Sequence, residues 1–433
     1  MSDVVSANFV CGLQTDVIVP PQARVRHSPS DVSMPQSRMM AGKPSARIDP
    51  IPRCVRILHV LRAMNRGGIE TWLMHALRHI DRSAFHMDFL LATRERCDYD
   101  AEILRLGGGI LRVDRPNPKR PLKYGRDLSR ILSTHGPYDV VHSHEQEMSG
   151  YILRCAAKQS IPVRIAHSHN DVTRIPGFSL SLAHRLRARV LRHWIDQYAT
   201  SGLACSRRAA SALFGPHWDC EPRWRVLHYG IDLKPFRCHT NQTGMRAELG
   251  IGPTEFVIGH VGRFHEQKNH AFIIDVVKEL ATRGCRPRLL LVGDGELRPT
   301  IEERARRAGL IDSVIFAGVR EDIPRLIRNV MDVFLFPSRF EGLGLVLLEA
   351  QAAGIPCVVS DVVPPEASVV PRLVQTLSLS KSPVEWAEHV LQARSTRCDP
   401  REAIGALERS GFDIRTSILG LQNLYAPGWI RNG

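Results

Sequence analysis

The chain has 433 residues, 43% of them apolar and 24% charged, an ordinary balance for a globular protein with room for two full cores. No run reaches the ~18 apolar residues that a membrane span needs, and the start lacks a charged-then-apolar leader, which argues against secretion. Ten cysteines without a C-x-x-C pair fit a reducing cytoplasm and no zinc site, while a net charge of +14 calls for an acidic partner, either an anionic membrane face or nucleic acid.

Residues 1–52 repeat Pro, Ser and Arg without periodicity and are expected to form a flexible extension. From Arg53 the pattern alternates. Val55 to Leu61 predicts a buried strand, Gly67-Gly68 a loop, and Glu70 to Ile80 a helix. Strands near His86–Leu91, Val140–His142, Val163–His167 and Gly202–Cys205 follow with helices between them. That order predicts a parallel sheet covered on both faces. Asp98-Tyr99-Asp100 is a D-x-D of the kind that binds metals elsewhere. Here it opens a helical stretch, where acidic residues need no metal to explain them.

The stretch Leu182 to Ile195 is basic and apolar. Arg185, Arg189 and Arg192 share one helical face, Leu182, Leu186, Val190 and Trp194 an adjacent one, and Arg187 breaks the division. Such a helix suits an anionic membrane surface, and equally a domain helix with solvated arginines. Between Gly230 and Gly252 the strands pause, as a linker would. A second alternating series spans Phe256 to Ser360, followed by helices near Pro383–Ala393 and Arg415–Leu424. The expected divisions are 1–52, 53–235, 236–414 and 415–433. The fold class is α/β, with two Rossmann-like domains whose parallel sheets face one another across a cleft.

The chemistry gathers at strand ends. After the strand Val333–Phe336 comes Phe340-Glu341-Gly342-Leu343-Gly344-Leu345-Val346-Leu347-Leu348-Glu349. Loop N–H groups at a strand-to-helix junction suit phosphate, and carboxylates on either side suit hydroxyls. Glu349 falls about 7–8 Å along the helix axis. The spacing fits a ligand with a diphosphate between a sugar and a ribose. Ile258 to Asn269 has a related design: glycine at Gly262, then two cations, Arg263 and Lys268, before a helix with Asn269 as its expected cap. Gly67-Gly68 lets backbone approach phosphate from the other half. His142, His144, His167 and His169 form two H-x-H pairs at strand ends.

These runs, with Met64 to Thr71, Arg164 to Asn170, Ala204-Cys205-Ser206 and Gly230-Ile231-Asp232, resemble the retaining glycosyltransferases of family 4, in the capsular and exopolysaccharide branch. The resemblance covers nearly all of the chain from Arg53. It implies the GT-B fold, with the last helix crossing back to the first domain, and no cofactor or metal. It also implies a nucleotide-sugar donor (a UDP- or GDP-sugar) and a saccharide acceptor, lipid-linked. Arg263 and Lys268 would clamp the diphosphate, Glu341 a sugar hydroxyl and Glu349 the ribose. The backbone from Gly342 and Leu343 through Gly344 and Leu345 to Val346 would complete the cradle, and Val319 would help shape the pocket. His144 would stand nearest the reacting sugar, while His169 and Asn170 would meet the acceptor. The expected place of action is the cytoplasm or the inner membrane face. A sugar-nucleotide epimerase of the same fold and a basic nucleic-acid-binding or regulatory protein are the alternatives. The absence of helix-turn-helix, zinc-finger or RNA-binding signatures speaks against the last.

Overall fold

A computed structural model describes residues 54–116, 121–171, 181–237 and 243–426; the expected N-terminal extension lies outside them. The first seven strands form one parallel sheet. They are β1 (Val55–Leu61), β2 (Phe85–Leu91), β3 (Gly109–Arg112), β4 (Val140–Ser143), β5 (Val163–Ser168), β6 (Ser201–Ala204) and β7 (Trp224–Val226), in the order 3-2-1-4-5-6-7. The next six form a second sheet: β8 (Val257–Val261), β9 (Arg288–Val292), β10 (Val314–Gly318), β11 (Val333–Phe336), β12 (Cys357–Ser360) and β13 (Val374–Leu377). Their order is 10-9-8-11-12-13.

Both sheets wind outward from a central pair, β1 with β4 and β8 with β11. At such a switch point successive connections leave on opposite faces and open a crevice beyond the carboxyl ends of the strands. The strands read as continuous apolar runs because helices cover both faces. Ile57, Leu58, Val141, Leu290, Phe334 and Leu335 are all fully buried. Chain reversal is unnecessary in such a sheet, so every pairing is parallel.

The last helix, Ile414–Tyr425, packs on the first lobe although it follows the second. Ile231 and Asp413 form a parallel bridge that brings the linker and the start of this helix together. The helix then buries Ile418, Leu421 and Tyr425. Trp72 Nε1 donates to Ser417 Oγ at 3.3 Å, and the Tyr425 hydroxyl lies 2.9 Å from His142 Nδ1. Further contacts join the lobes. The Arg207 N–H donates to Glu366 Oε1 at 3.0 Å, and Arg208 Nη1 donates to the Val362 carbonyl at 2.8 Å.

The helix Leu182–Tyr198 spans the expected basic stretch, but Trp194 does not join its outer apolar face. Its ring lies under the Arg154 guanidinium, 4.4 Å away, where aromatic surface gains a cation rather than water. Among the described residues no helix is long and apolar enough to cross a membrane.

Replacing Tyr425 with Phe strands a buried ring nitrogen of His142. The expected cost is about 1–3 kcal/mol of unfolding free energy, read as a lower denaturation midpoint.

Candidate active site

In the second lobe, two loops at the switch point are joined by hydrogen bonds. The Arg339 N–H donates to the Gln267 carbonyl at 2.8 Å, and Gln267 Nε2 to the Phe340 carbonyl at 3.0 Å. Asn269 takes a left-handed conformation (φ 56°) and makes no side-chain cap. Its amide donates to the Pro337 carbonyl at 3.1 Å, because closing the two loops together leaves that oxygen unmet.

This frame brings Lys268 Nζ within 2.6 Å of Glu341 Oε1, with Glu341 only 7% exposed. The ammonium also lies 4.8 Å from the centre of the Phe336 ring. Leu343 is buried, and Leu345 and Val346 are half-buried. Gly344 has φ 87°, a conformation that side chains resist, and starts the helix Leu345–Ala352. Glu349 is the fifth residue of that helix. It is half-buried, its side chain makes no hydrogen bond among the described residues, and its carboxyl is pushed up to about 7 by desolvation. A carboxylate in that condition is ready to accept hydroxyl donors. Val319, just beyond β10, is 53% exposed.

The first lobe meets this edge at Gly67, which precedes the helix Gly68–His79. A Cβ there would lie 2.4 Å from Glu70 Oε2 and 3.4 Å from Arg263 Nη2. Both atoms are the movable ends of side chains, so a small residue here would displace Glu70 and touch Arg263 without meeting backbone. Arg263 is exposed, its Nη2 lies 3.5 Å from the Arg66 carbonyl, and it forms no ion pair among the described residues. Arg66 in turn pairs with Glu321 of the second lobe. Glu70 is pushed up to about 7, chiefly by desolvation and against the pull of Arg263. The sequence marked Glu70 only as a helix start; its place opposite Arg263 depends on the second lobe.

His144 and His169 lie buried at the ends of β4 and β5. His144 Nε2 is 3.0 Å from His59 Nδ1, and His144 Nδ1 is 2.9 Å from His169 Nε2. The other His169 nitrogen meets the Tyr229 hydroxyl. Every ring nitrogen of this pair is engaged inside the lobe, so a hydrogen bond to substrate would require one of these partners to give way. His59, on β1, was not among the expected site residues. A single histidine in an apolar strand gives no signal until β4 is known to lie beside it. Asn170 is half-buried, and its Oδ1 lies 3.0 Å from where a Cβ on Gly342 would be.

Among the described residues, three-histidine groups with ligand atoms within 4.8 Å occur twice, as His59, His142, His144 and as His144, His167, His169. The D-x-D residues are engaged locally. Asp98 Oδ2 accepts from the Arg66 N–H at 3.0 Å, and Asp100 pairs with Arg112.

Residues 66–235 match the family described as Glycosyltransferase Family 4, and residues 241–406 match Glycosyl transferases group 1. EpsF of Bacillus subtilis (strain 168), which bears the name of a glycosyltransferase, is 39% identical over 372 residues. The alignment spans 86% of this chain and 96% of that protein. The chain belongs to glycosyltransferase family 4.

A second relative is the UDP-Gal:alpha-D-GlcNAc-diphosphoundecaprenol alpha-1,3-galactosyltransferase of Escherichia coli. It is 28% identical over 260 residues, which are 57% of this chain and 65% of that protein. The crystal structure of Anabaena HepE in complex with UDP and glucose superposes with a TM-score of 0.69 at 19% identity, covering 85% of this chain and 98% of HepE. That likeness shows the GT-B fold of this glycosyltransferase. Neither matched family is an epimerase or a nucleic-acid-binding one, so both alternatives stand without support.

The carboxyl of Glu349 takes up its proton near pH 7 in the folded enzyme, against about 4.3 when unfolded. Between these values the folded state holds a proton that the unfolded state lacks. Its contribution therefore favours folding at low pH and is lost as pH rises through 7. Glu349→Gln is expected to raise Tm at pH 8 by about 1–2 °C and to leave it nearly unchanged at pH 4, below the unfolded value. Thermal melts at the two pH values check this.

Proposed function

We propose that this glycosyltransferase moves a sugar from a UDP- or GDP-sugar to a lipid-linked saccharide, with retention at the anomeric carbon and without a metal, in exopolysaccharide or capsule synthesis. The observation that carries the reading is the meeting of Arg263, Lys268–Glu341 and Gly67 at facing sheet edges, with Glu349 on the helix that follows. The relatives support the ligand class, since one acts from UDP-Gal on a diphospho-lipid and HepE was crystallised with UDP and glucose.

In this reading Arg263 and Lys268 hold the diphosphate and offset the charge that grows on it as the sugar departs. Gly67, Gly68 and Gly262 let backbone approach the phosphates, and the Gly342–Val346 segment completes the cradle. Glu341 holds a sugar hydroxyl. Its bond to Lys268 fixes both side chains before the donor arrives, so little ordering remains when it binds. Glu349 accepts the ribose hydroxyls, and Val319 bounds the pocket. The departing phosphate takes the proton of the acceptor hydroxyl on the same face, so no enzyme nucleophile is needed. His144 and His169 form an uncharged wall beside the sugar, and Asn170 meets the acceptor.

Arg263 is the clean residue to remove, because its loss strands no buried partner. Arg263→Ala is expected to lower kcat/KM by about 100-fold or more. Transfer from a panel of UDP-, GDP- and ADP-sugars tests both residue and donor. Turnover and nucleotide affinity unchanged in the Arg263→Ala, Lys268→Ala double variant would refute the proposal.

The helix Leu182–Tyr198 supports an acceptor presented at a membrane. Leu182, Leu186 and Val190 are 82%, 64% and 42% exposed at successive turns, and Arg185, Arg187 and Arg189 flank them. Such a stripe fits the boundary between acyl chains and anionic headgroups of the inner membrane face. Flotation with vesicles containing anionic lipid is expected to carry the protein, and Leu182→Asp with Leu186→Asp to abolish it. Equal flotation with neutral vesicles would remove the electrostatic part of the idea.

A further inference from the structure

Five buried imidazoles lie in two hydrogen-bonded files on one face of the first sheet. One file runs His59, His144, His169 and Tyr229, with the separations given above. The other runs Tyr425, His142 and His167, the facing ring nitrogens 3.0 Å apart. His59 and His142 are in register on β1 and β4, and Phe89 stacks beside His59.

The rings meet end on. The centroids of His59 and His144 are 5.3 Å apart with facing nitrogens at 3.0 Å, and those of His144 and His169 are 5.0 Å apart with nitrogens at 2.9 Å. The difference in each case is about one nitrogen-to-centroid distance at either end, and the planes differ by only 20° and 28°. Lone pairs aimed at neighbouring N–H groups do this. Metal ligands would aim their lone pairs at a common third point.

A neutral imidazole donates once and accepts once, so every bond in a file must point the same way. Two directions exist for the first file. If Tyr229 starts it, the file ends in an N–H at His59 Nε2, a buried atom with no partner, and an orphaned buried N–H is rare. If His59 starts it, that atom carries only a bare lone pair. His169 then donates to the Tyr229 hydroxyl, which is in hydrogen-bond contact with the Cys205 thiol. Cys205 Sγ lies 3.4 Å from the His169 carbonyl and donates to it. Every proton in the file then has an acceptor.

We propose that His59 and Tyr229 are positioning residues for sugar transfer, which lock His144 and His169 in the tautomer protonated at Nδ1. The role in transfer rests on the function proposed above, whereas the tautomer does not. Burial reinforces the lock by keeping the rings uncharged: His59 and His169 are held down to about 3, and His144 well below the usual imidazole range. The file ends at the His169 carbonyl, against which Gly342 of the donor loop packs. A ring that turned or took a charge would therefore disturb the wall that the two lobes share.

The test is nitrogen NMR of the full chain labelled with ¹⁵N-histidine. Both His144 and His169 should show a protonated Nδ1 and a bare Nε2 at neutral pH. An Nε2–H tautomer or an imidazolium at either ring would overturn the proposal. Added zinc should leave these signals unchanged, and their loss on zinc binding would reassign the cluster to a metal.

Two variants address transfer. His59→Phe removes the donor to His144, and His59→Asn keeps one close to the place of Nδ1. His59→Phe is expected to lower kcat about tenfold or more, as loss of a group that sets a tautomer does, with the donor KM held within about twofold. His59→Asn should recover most of that loss. No effect in His59→Phe, or equal losses in the two variants, would overturn the positioning role. Failure of the wild-type enzyme to transfer any sugar would sink the function proposed above, and the tautomer result would still stand.

Discussion

A methyl group on residue 342 would lie 1.7 Å from the carbonyl oxygen of His169, so glycine is required where the loop after β11 meets the first sheet. This contact sets how closely the two switch points approach. On one side of it are Glu341 and its partner Lys268; on the other are β5 and the histidine file. At Gly67, opposite Arg263, an added Cβ would meet only the movable ends of side chains. The glycine at 342 thus allows the close apposition on which the rest of the cleft depends.

Charge is arranged around that apposition with some economy. Lys268 and Glu341 satisfy one another in a mostly buried place, where an unpaired charge would be costly. Arg263 remains exposed and has no ion pair among the described residues. Glu349 and Glu70 sit where desolvation raises both toward neutrality. The site thus combines a fixed pair, a cation open to solvent and two acids raised toward neutrality, and its three glutamates differ in their environment rather than in their chemistry.

The chain also ties its two lobes together with its own end. The helix Ile414–Tyr425 closes over the first lobe through Trp72–Ser417 and Tyr425–His142, while the bridge from Ile231 to Asp413 holds its start against the linker. Tyr425 is therefore both a core residue and the terminal partner of an imidazole file at the carboxyl edge of the first sheet.

Amphipathic and apolar periodicity alone disclosed the alternation of strands and helices, because covered parallel strands must be apolar throughout and helices must bury one face. The glycines, the Arg263–Lys268 spacing and the Glu341–Glu349 spacing were legible for a similar reason: each lies within one short stretch of chain running from a strand end into the next helix. Partnerships across distant segments were not. Glu70 faces Arg263 across 193 positions of chain, and His59 bonds His144 across 85. Trp194 turned away from the apolar face that helical spacing assigned to it, because Arg154 offered its ring a better surface. Local spacing determines which elements form and which groups they carry, whereas the winding of the sheets and the closure of the lobes decide which groups meet.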